Sequence, residues 1–217
     1  MYINLKLQLG QWASTRRDLF SDTICHEFSH LQNHVKPHSI EHTRLIFNEE
    51  FTQSIDAAFS EFDNEPVGVG AVAQVYKAKL KKEDDYVAVK ILHPNIHETI
   101  ETDLKLLHIF GGFLEIFSSM KYFGIVDEIE TFSDMMQKQL DLRQEAENLR
   151  RFGENFKENQ NVLIPRPHER FCSRNVLVES FIEGIPLNTV LEAESTVYDT
   201  DLANIGLNAF LVFFSVV

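Results

Sequence analysis

"PVGVGAVAQVYKAKLKKEDDYVAVKIL", residues Pro66 to Leu92, decides how this chain folds. Within it "AVAQVYKAKL" alternates in polarity and "YVAVKIL" is short and β-branched, so both read as strands. The polar run Lys81 to Asp85 reads as the turn between them, giving a β-hairpin and then a third strand. Ahead of the alternating run, Gly68-x-Gly70-Ala71-x-Ala73-x-Val75 places small residues where backbone amides can approach phosphate oxygens without a Cβ in the way. Val87-Ala88-Val89-Lys90 ends fifteen residues after Val75. Alone, the loop could be a bulged hairpin and the lysine a solvated strand end. Together, in this order, they favour a phosphate cradle whose lysine meets the α- and β-phosphates of a nucleotide.

Helical spacing dominates on both sides of this region. Leu9, Trp12, Leu19, Ile24, Phe28, Leu31 and Val35 recur at mostly helical intervals until Lys36-Pro37 interrupts them, and a second helix is predicted over about Ser39 to Phe59. After the strands, Asn95 to Phe117 is predicted helical, loosened by Gly111-Gly112. Asp127 to Phe156 reads as one long amphipathic helix with Asp141 and Glu145 on one face, either of which could hold Lys90. "RNVLVESFIEGIPL" reads as a strand running into a turn, and a last helix begins near Asp201. The pattern is α+β.

The composition excludes several classes. Twenty Lys and Arg against 33 Asp and Glu leave a net charge of −13, so a nucleic acid partner is not expected. Cys25 and Cys172 are the only cysteines, and no Asn-x-Ser/Thr occurs, which argues against a disulfide-built secreted chain. No targeting segment or transmembrane helix is predicted, because the N-terminus lacks an apolar signal region and "ANIGLNAFLVFFSVV" falls short of the ~20 residues a span needs.

"GVGAVAQVYKAKL", "YVAVKILHPNI", "QLDLRQEAENLRRF" and "VLVESFIEGIPL" follow one another as in the UbiB/aarF-domain (ADCK) atypical kinase family, which the chain resembles from about Leu9 to Leu191. The resemblance implies a protein-kinase-like fold of UbiB type: a helical N-terminal extension over residues 1–60, an N-lobe sheet with the nucleotide loop over 61–183, and the start of a helical C-lobe over 184–217. It implies ATP or ADP with Mg²⁺, a mitochondrial setting, and inner-membrane or coenzyme Q biosynthetic proteins as partners. By position, Gly68, Gly70, Ala71 and Val75 would line the nucleotide, Lys90 would meet its phosphates, and Glu145 would hold Lys90.

Two family motifs depart from pattern. The K-x-G-Q motif falls on Gln8-Leu9-Gly10-Gln11, with glutamine in place of lysine, and the E-x-D motif falls on Gln139-Leu140-Asp141, with glutamine in place of glutamate. A joint change of this kind exchanges an ion pair for an amide pair and leaves no unpaired buried charge. Phosphoryl transfer also needs a base and an Mg²⁺-holding aspartate. No H-G-D and no D-F-G occurs, and Val217 falls where the family's H-G-D-x-H-P-x-N segment is expected to begin, so the resemblance implies a truncated, catalytically incomplete form with no catalytic or metal residues assigned.

Two other readings compete. One is an interaction module without catalysis. The other is a zinc peptidase, because His26-Glu27-Phe28-Ser29-His30 is a literal H-E-x-x-H and Glu49 follows at the spacing of a third ligand. Only 25 residues precede His26, too few for the sheet such enzymes need, and the same stretch is already explained by the family's N-terminal helices.

Overall fold

Strand periodicity sends alternate side chains of Ala73–Leu80 and Tyr86–Leu92 to opposite faces, and both faces find something to pack against. The computed structural model describes residues 21–30, 36–116, 124–192 and 199–216. In order, the elements are α1 (Asp22–His30), α2 (Ile40–Phe51), the short α3 (Ile55–Ala58), β1 (Phe59–Phe62), β2 (Gly68–Val69), β3 (Ala73–Leu80), β4 (Tyr86–Leu92), α4 (Ile96–Glu115), α5 (Ile125–Gln139), α6 (Leu142–Asn155), β5 (Pro167–Cys172), β6 (Val176–Ser180), α7 (Leu187–Glu192) and α8 (Asp199–Val216). The strands form one antiparallel sheet in the order β1-β3-β4-β6-β5, with the two-residue β2 added beside β3. The fold is α+β.

One face of the sheet carries Tyr76, Ala78 and Leu80 of β3, Val87, Val89 and Ile91 of β4, and Val176 and Val178 of β6, all buried. Helix α2 closes this face with Phe47, whose ring lies 4.9–5.7 Å from those of Phe51, Phe59 and Phe171. The opposite face carries Ala73, Leu92 and Leu177, and packs on Ile96, Ile100 and Leu104 of α4, Phe132 and Met136 of α5, and Leu142 and Ala146 of α6. The hairpin predicted around Lys81 to Asp85 is present, with Val75 opposite Lys90 in its register.

Three expectations change. The single helix predicted over Asp127 to Phe156 is two helices. Leu140 (φ −87°, ψ 8°) ends α5, and Asp141, extended at φ −127°, ψ 95°, caps α6 by accepting from the Arg143 amide. Apolar spacing could not show this break, because Leu140 and Leu142 on either side of it enter the same core. The helix predicted over Ser39 to Phe59 ends at Phe51, where Thr52 turns left-handed (φ 53°), and Phe59 opens β1. Strands β1, β2 and β5 escaped the sequence reading because they are short or lie at the sheet edge, where polar residues mask the alternation. Gly111 does not loosen α4, which continues to Glu115. It lets α5 approach, since a Cβ there would stand 2.4 Å from Ile129 Cδ1.

Two substitutions test this packing. Phe47→Ala should lower unfolding free energy by about 3–5 kcal/mol, as for a fully buried aromatic. Gly111→Val should cost about 1–3 kcal/mol by overpacking. Urea unfolding reads both, and a loss under about 1 kcal/mol for Phe47→Ala would contradict the shared α2–sheet core.

Candidate functional site

Because Val87, Val89 and Ile91 fill the α2 side of the sheet, Ala88 and Lys90 must face the other way. Lys90 lies between Val75 of β3 and Leu177 of β6. Below it runs α6, seated by Leu142, Ala146 and Leu149 in the second core. Glu145 stands on the same helix face, three residues after Leu142 and four before Leu149. The structure brings the two together: Lys90 Nζ donates to Glu145 Oε1 at 2.7 Å and Oε2 at 2.6 Å. Both side chains keep some solvent contact, 27% for Lys90 and 40% for Glu145, so the pair is screened and its worth lies in aiming the lysine.

A third charge was missed in the sequence. Glu179 of β6 pairs across from Ala88 and so shares the Lys90 face. Burial pushes its carboxyl up from the ordinary glutamate range, the nearby Glu145 carboxylate pushes the same way, and Lys90 opposes both. Its place depends on the β4–β6 register, which no local pattern announces.

The small-residue loop closes on itself. Gly68 pairs with Val75 and Val69 with Gln74, and the Gly70 amide donates to the Ala73 carbonyl at 2.8 Å. Neither Gly68 nor Gly70 has a left-handed φ. A Cβ on Gly68 would meet nothing within 4 Å, and one on Gly70 would make an ordinary contact 3.5 Å from the Ala73 oxygen. The fold itself therefore does not demand glycine at either position. What these glycines leave clear is space beside the backbone, and that suits a phosphate group approaching the turn. Ala71 is buried beneath the turn, and Val75 is partly exposed on the Lys90 side of β3.

The remaining positions are placed as follows. Asp141 does not share a helix face with Glu145; it caps α6 and pairs with Arg143, Nε to Oδ1 at 2.8 Å and Nη2 to Oδ2 at 2.6 Å. That hydrogen-bonded guanidinium holds the Asp141 carboxyl below its ordinary range. Gln139 is the exposed last residue of α5. Gln8, Gly10 and Gln11 lie outside the described residues, and with them the suggested Gln8–Gln139 amide pair. His26 and Glu27 are exposed on α1, Glu49 is exposed on α2, and among the described residues no group of three or more His, Cys, Asp or Glu is placed to hold a metal ion. No helix among the described residues is long and apolar enough to cross a membrane.

An antiparallel lobe with a small-residue loop over a strand lysine, itself gripped by a helix glutamate, is the arrangement of a kinase-like protein. Residues 30–215 match the ABC1 atypical kinase-like domain, and the chain belongs to that family. It is 35% identical, over 94% of its own length and 34% of the relative's, to an ABC1 family protein of Schizosaccharomyces pombe named as mitochondrial. It is 33% identical, over 96% of its length and 39% of the relative's, to a probable protein kinase UbiB of Histophilus somni. A Mycobacterium tuberculosis protein solved in complex with erythromycin superposes with a TM-score of 0.62 at 27% identity, covering 74% of this chain and 40% of that one. The chain spans about a third of the length of the curated relatives it matches.

The raised Glu179 carboxyl gives a pH test. A carboxyl whose folded pKa lies above its unfolded one contributes most below the unfolded value, and the contribution is lost as pH rises through the folded value. Glu179→Gln should therefore stabilise the protein at pH 7 and have less effect at pH 4, read as the difference from wild type in urea midpoint. An equal effect at both pH values would contradict the half-buried placement of this carboxyl.

Proposed function

We propose that this chain binds an adenine nucleotide, ATP or ADP, between the turn of Gly68 to Val75 and the lysine face of β4. The observation that carries the proposal is the Lys90–Glu145 pair lying beneath a turn whose glycines the fold does not require. Lys90 would meet the α- and β-phosphate oxygens. Glu145 would keep the ammonium from swinging into solvent while leaving its third proton free to donate. The small side chains of Gly68, Gly70 and Ala71 would let the backbone come within hydrogen-bond reach of the phosphates. Bound nucleotide places negative charge beside Glu145 and Glu179, and Mg²⁺ is the co-ligand the family implies to offset it.

The proposal concerns binding. Transfer of the γ-phosphoryl group needs a base and a metal-holding aspartate, carried in this family by motifs that do not occur in these 217 residues, and no residue is proposed as catalytic. A mitochondrial setting is proposed on the name of the fission-yeast relative, and a link to ubiquinone biosynthesis on the likeness to UbiB proteins.

Calorimetric titration with ADP and ATP, with and without Mg²⁺, tests the reading. Lys90→Ala should weaken binding at least tenfold, about 1.4 kcal/mol, by removing a charge-assisted contact to phosphate. Gly68→Val should weaken binding while leaving thermal stability nearly unchanged, because its Cβ enters open space in the protein alone. Equal affinity in wild type and Lys90→Ala would refute the assignment.

A further inference from the structure

The loop is anchored from behind by a histidine that the nucleotide reading does not use. His93 follows β4, three residues after Lys90. Its amide donates to the Val72 carbonyl at 2.9 Å, and its ring Nε2 lies 2.9 Å from the Gly70 carbonyl oxygen. Its Nδ1 lies 2.7 Å from Nδ1 of His38, in the segment leading into α2. His38 Nε2 is 2.9 Å from the Thr43 hydroxyl, which is 2.9 Å from the Tyr76 hydroxyl, and Tyr76 in turn accepts from Gln74 Nε2. Thr43, Gln74 and Tyr76 are fully buried.

The chemistry of its two ends sets the direction of this chain. Gln74 Oε1 accepts from the His38 amide and Nε2 donates to the His38 carbonyl, which orients the amide and makes Nε2 the donor toward Tyr76. At the far end the Gly70 carbonyl can only accept, so His93 Nε2 carries a proton. Between them one arrangement satisfies each link from Tyr76 to Gly70. Tyr76 donates to Thr43, Thr43 to His38 Nε2, His38 Nδ1–H to His93 Nδ1, and His93 Nε2–H to Gly70. Both imidazoles are neutral in it, and they are opposite tautomers.

We infer that His93 is a positioning residue for the nucleotide loop, holding the Gly70 carbonyl through Nε2–H while its Nδ1 is held in turn by His38. The consequence for affinity rests on the nucleotide reading; the anchoring itself does not. An extra proton on either ring has no place in the chain. Added at the centre, it sets two N–H groups against each other; passed back by reversing the bonds, it makes Tyr76 accept from both Thr43 and Gln74 and leaves the buried Tyr76 O–H without an acceptor. A donor–donor contact between the rings and an orphaned hydroxyl donor in the buried part of the network are both costly. The titratable groups facing the pair are His42 of α2 and Tyr76 of β3, and among the described residues no carboxylate hydrogen-bonds either ring. Burial lowers the pKa of His38 to about 4, with His93 and then His42 adding to the shift, and burial lowers that of His93 while the Gly70 contact opposes. A histidine depressed in the fold contributes fully above its unfolded pKa, near 6.5, and the contribution is lost as pH falls from there toward the folded value. Loop anchoring and nucleotide affinity are therefore strongest at neutral pH and weaken across this window.

Nitrogen-15 NMR of histidine-labelled wild-type protein reads the tautomers directly. The expected result is Nδ1–H for His38 and Nε2–H for His93, with both rings titrating below the ordinary histidine range. Nδ1–H on His93, or free titration of both rings near pH 6.5, overturns the inference without need of a variant. Amide exchange of residues 68–73 gives the second readout. His93→Phe should speed it up to about tenfold, the worth of one hydrogen bond. His93→Gln, whose side-chain amide can donate to Gly70, should restore most of the protection. Unchanged exchange in a folded His93→Phe protein overturns the anchoring. Titration with ADP in the same variants separates the two readings. If wild type binds ADP no better than Lys90→Ala does, the cradle reading fails and the tautomers and exchange still decide the anchoring. If wild type binds and His93→Phe binds equally well from pH 7 to pH 5, the loop is not positioned by His93.

Discussion

Strand β4 lies between β3 and β6 and has both of its faces used. Val87, Val89 and Ile91 are driven to one face by burial of apolar area, against α2 and its phenylalanines. Once they are committed, the pleat leaves Ala88 and Lys90 only the other face, and Leu92 joins the second core at the far end. Everything at the site follows from that commitment. A register slip of one residue would bury Lys90 among the aromatic rings and turn a valine toward α6. The lysine's direction is therefore secured by the whole first core rather than by its single ion pair.

The second core does for the carboxylates what the first does for the lysine. Leu142, Ala146 and Leu149 seat α6 against the sheet, and Glu145 is aimed by them. The Asp141 cap starts α6 where the previous helix ends, which lets the two helices take separate courses around the same core. Gly111 contributes at a distance by letting α5 lie close to α4. The charges at the site are few, half exposed and individually weak. Their arrangement comes from apolar packing on either side.

Two sources of order meet at the glycine turn. From the front, its glycines are free of steric demand from the protein. From behind, the turn is tied by carbonyls to His93, and through His38 to the segment leading into α2. Loop residues often carry function because a rigid scaffold presents them. Here the tie is a chain of buried and half-buried polar groups with one consistent donor-to-acceptor order from Tyr76 to Gly70, so it specifies one loop position without closing the space in front of it.

The sequence by itself determined the hairpin, the lysine at its end, the loop of small residues and the family, because each is written in neighbouring residues: a period of two, a polar turn, a run without large side chains. Glu145 was also legible as a candidate, since its helix is strongly amphipathic. Only the tertiary structure decided between Asp141 and Glu145, because the apolar pattern runs unbroken through a helix end that Leu140 and Leu142 both bury. Glu179 became part of the site through the β4–β6 register, and His38 and His93, 55 residues apart, met through the packing of α2 on the sheet. Local periodicity reports which face a side chain takes. It carries no information about which distant backbone that face will meet, and this is decided by packing two cores at once.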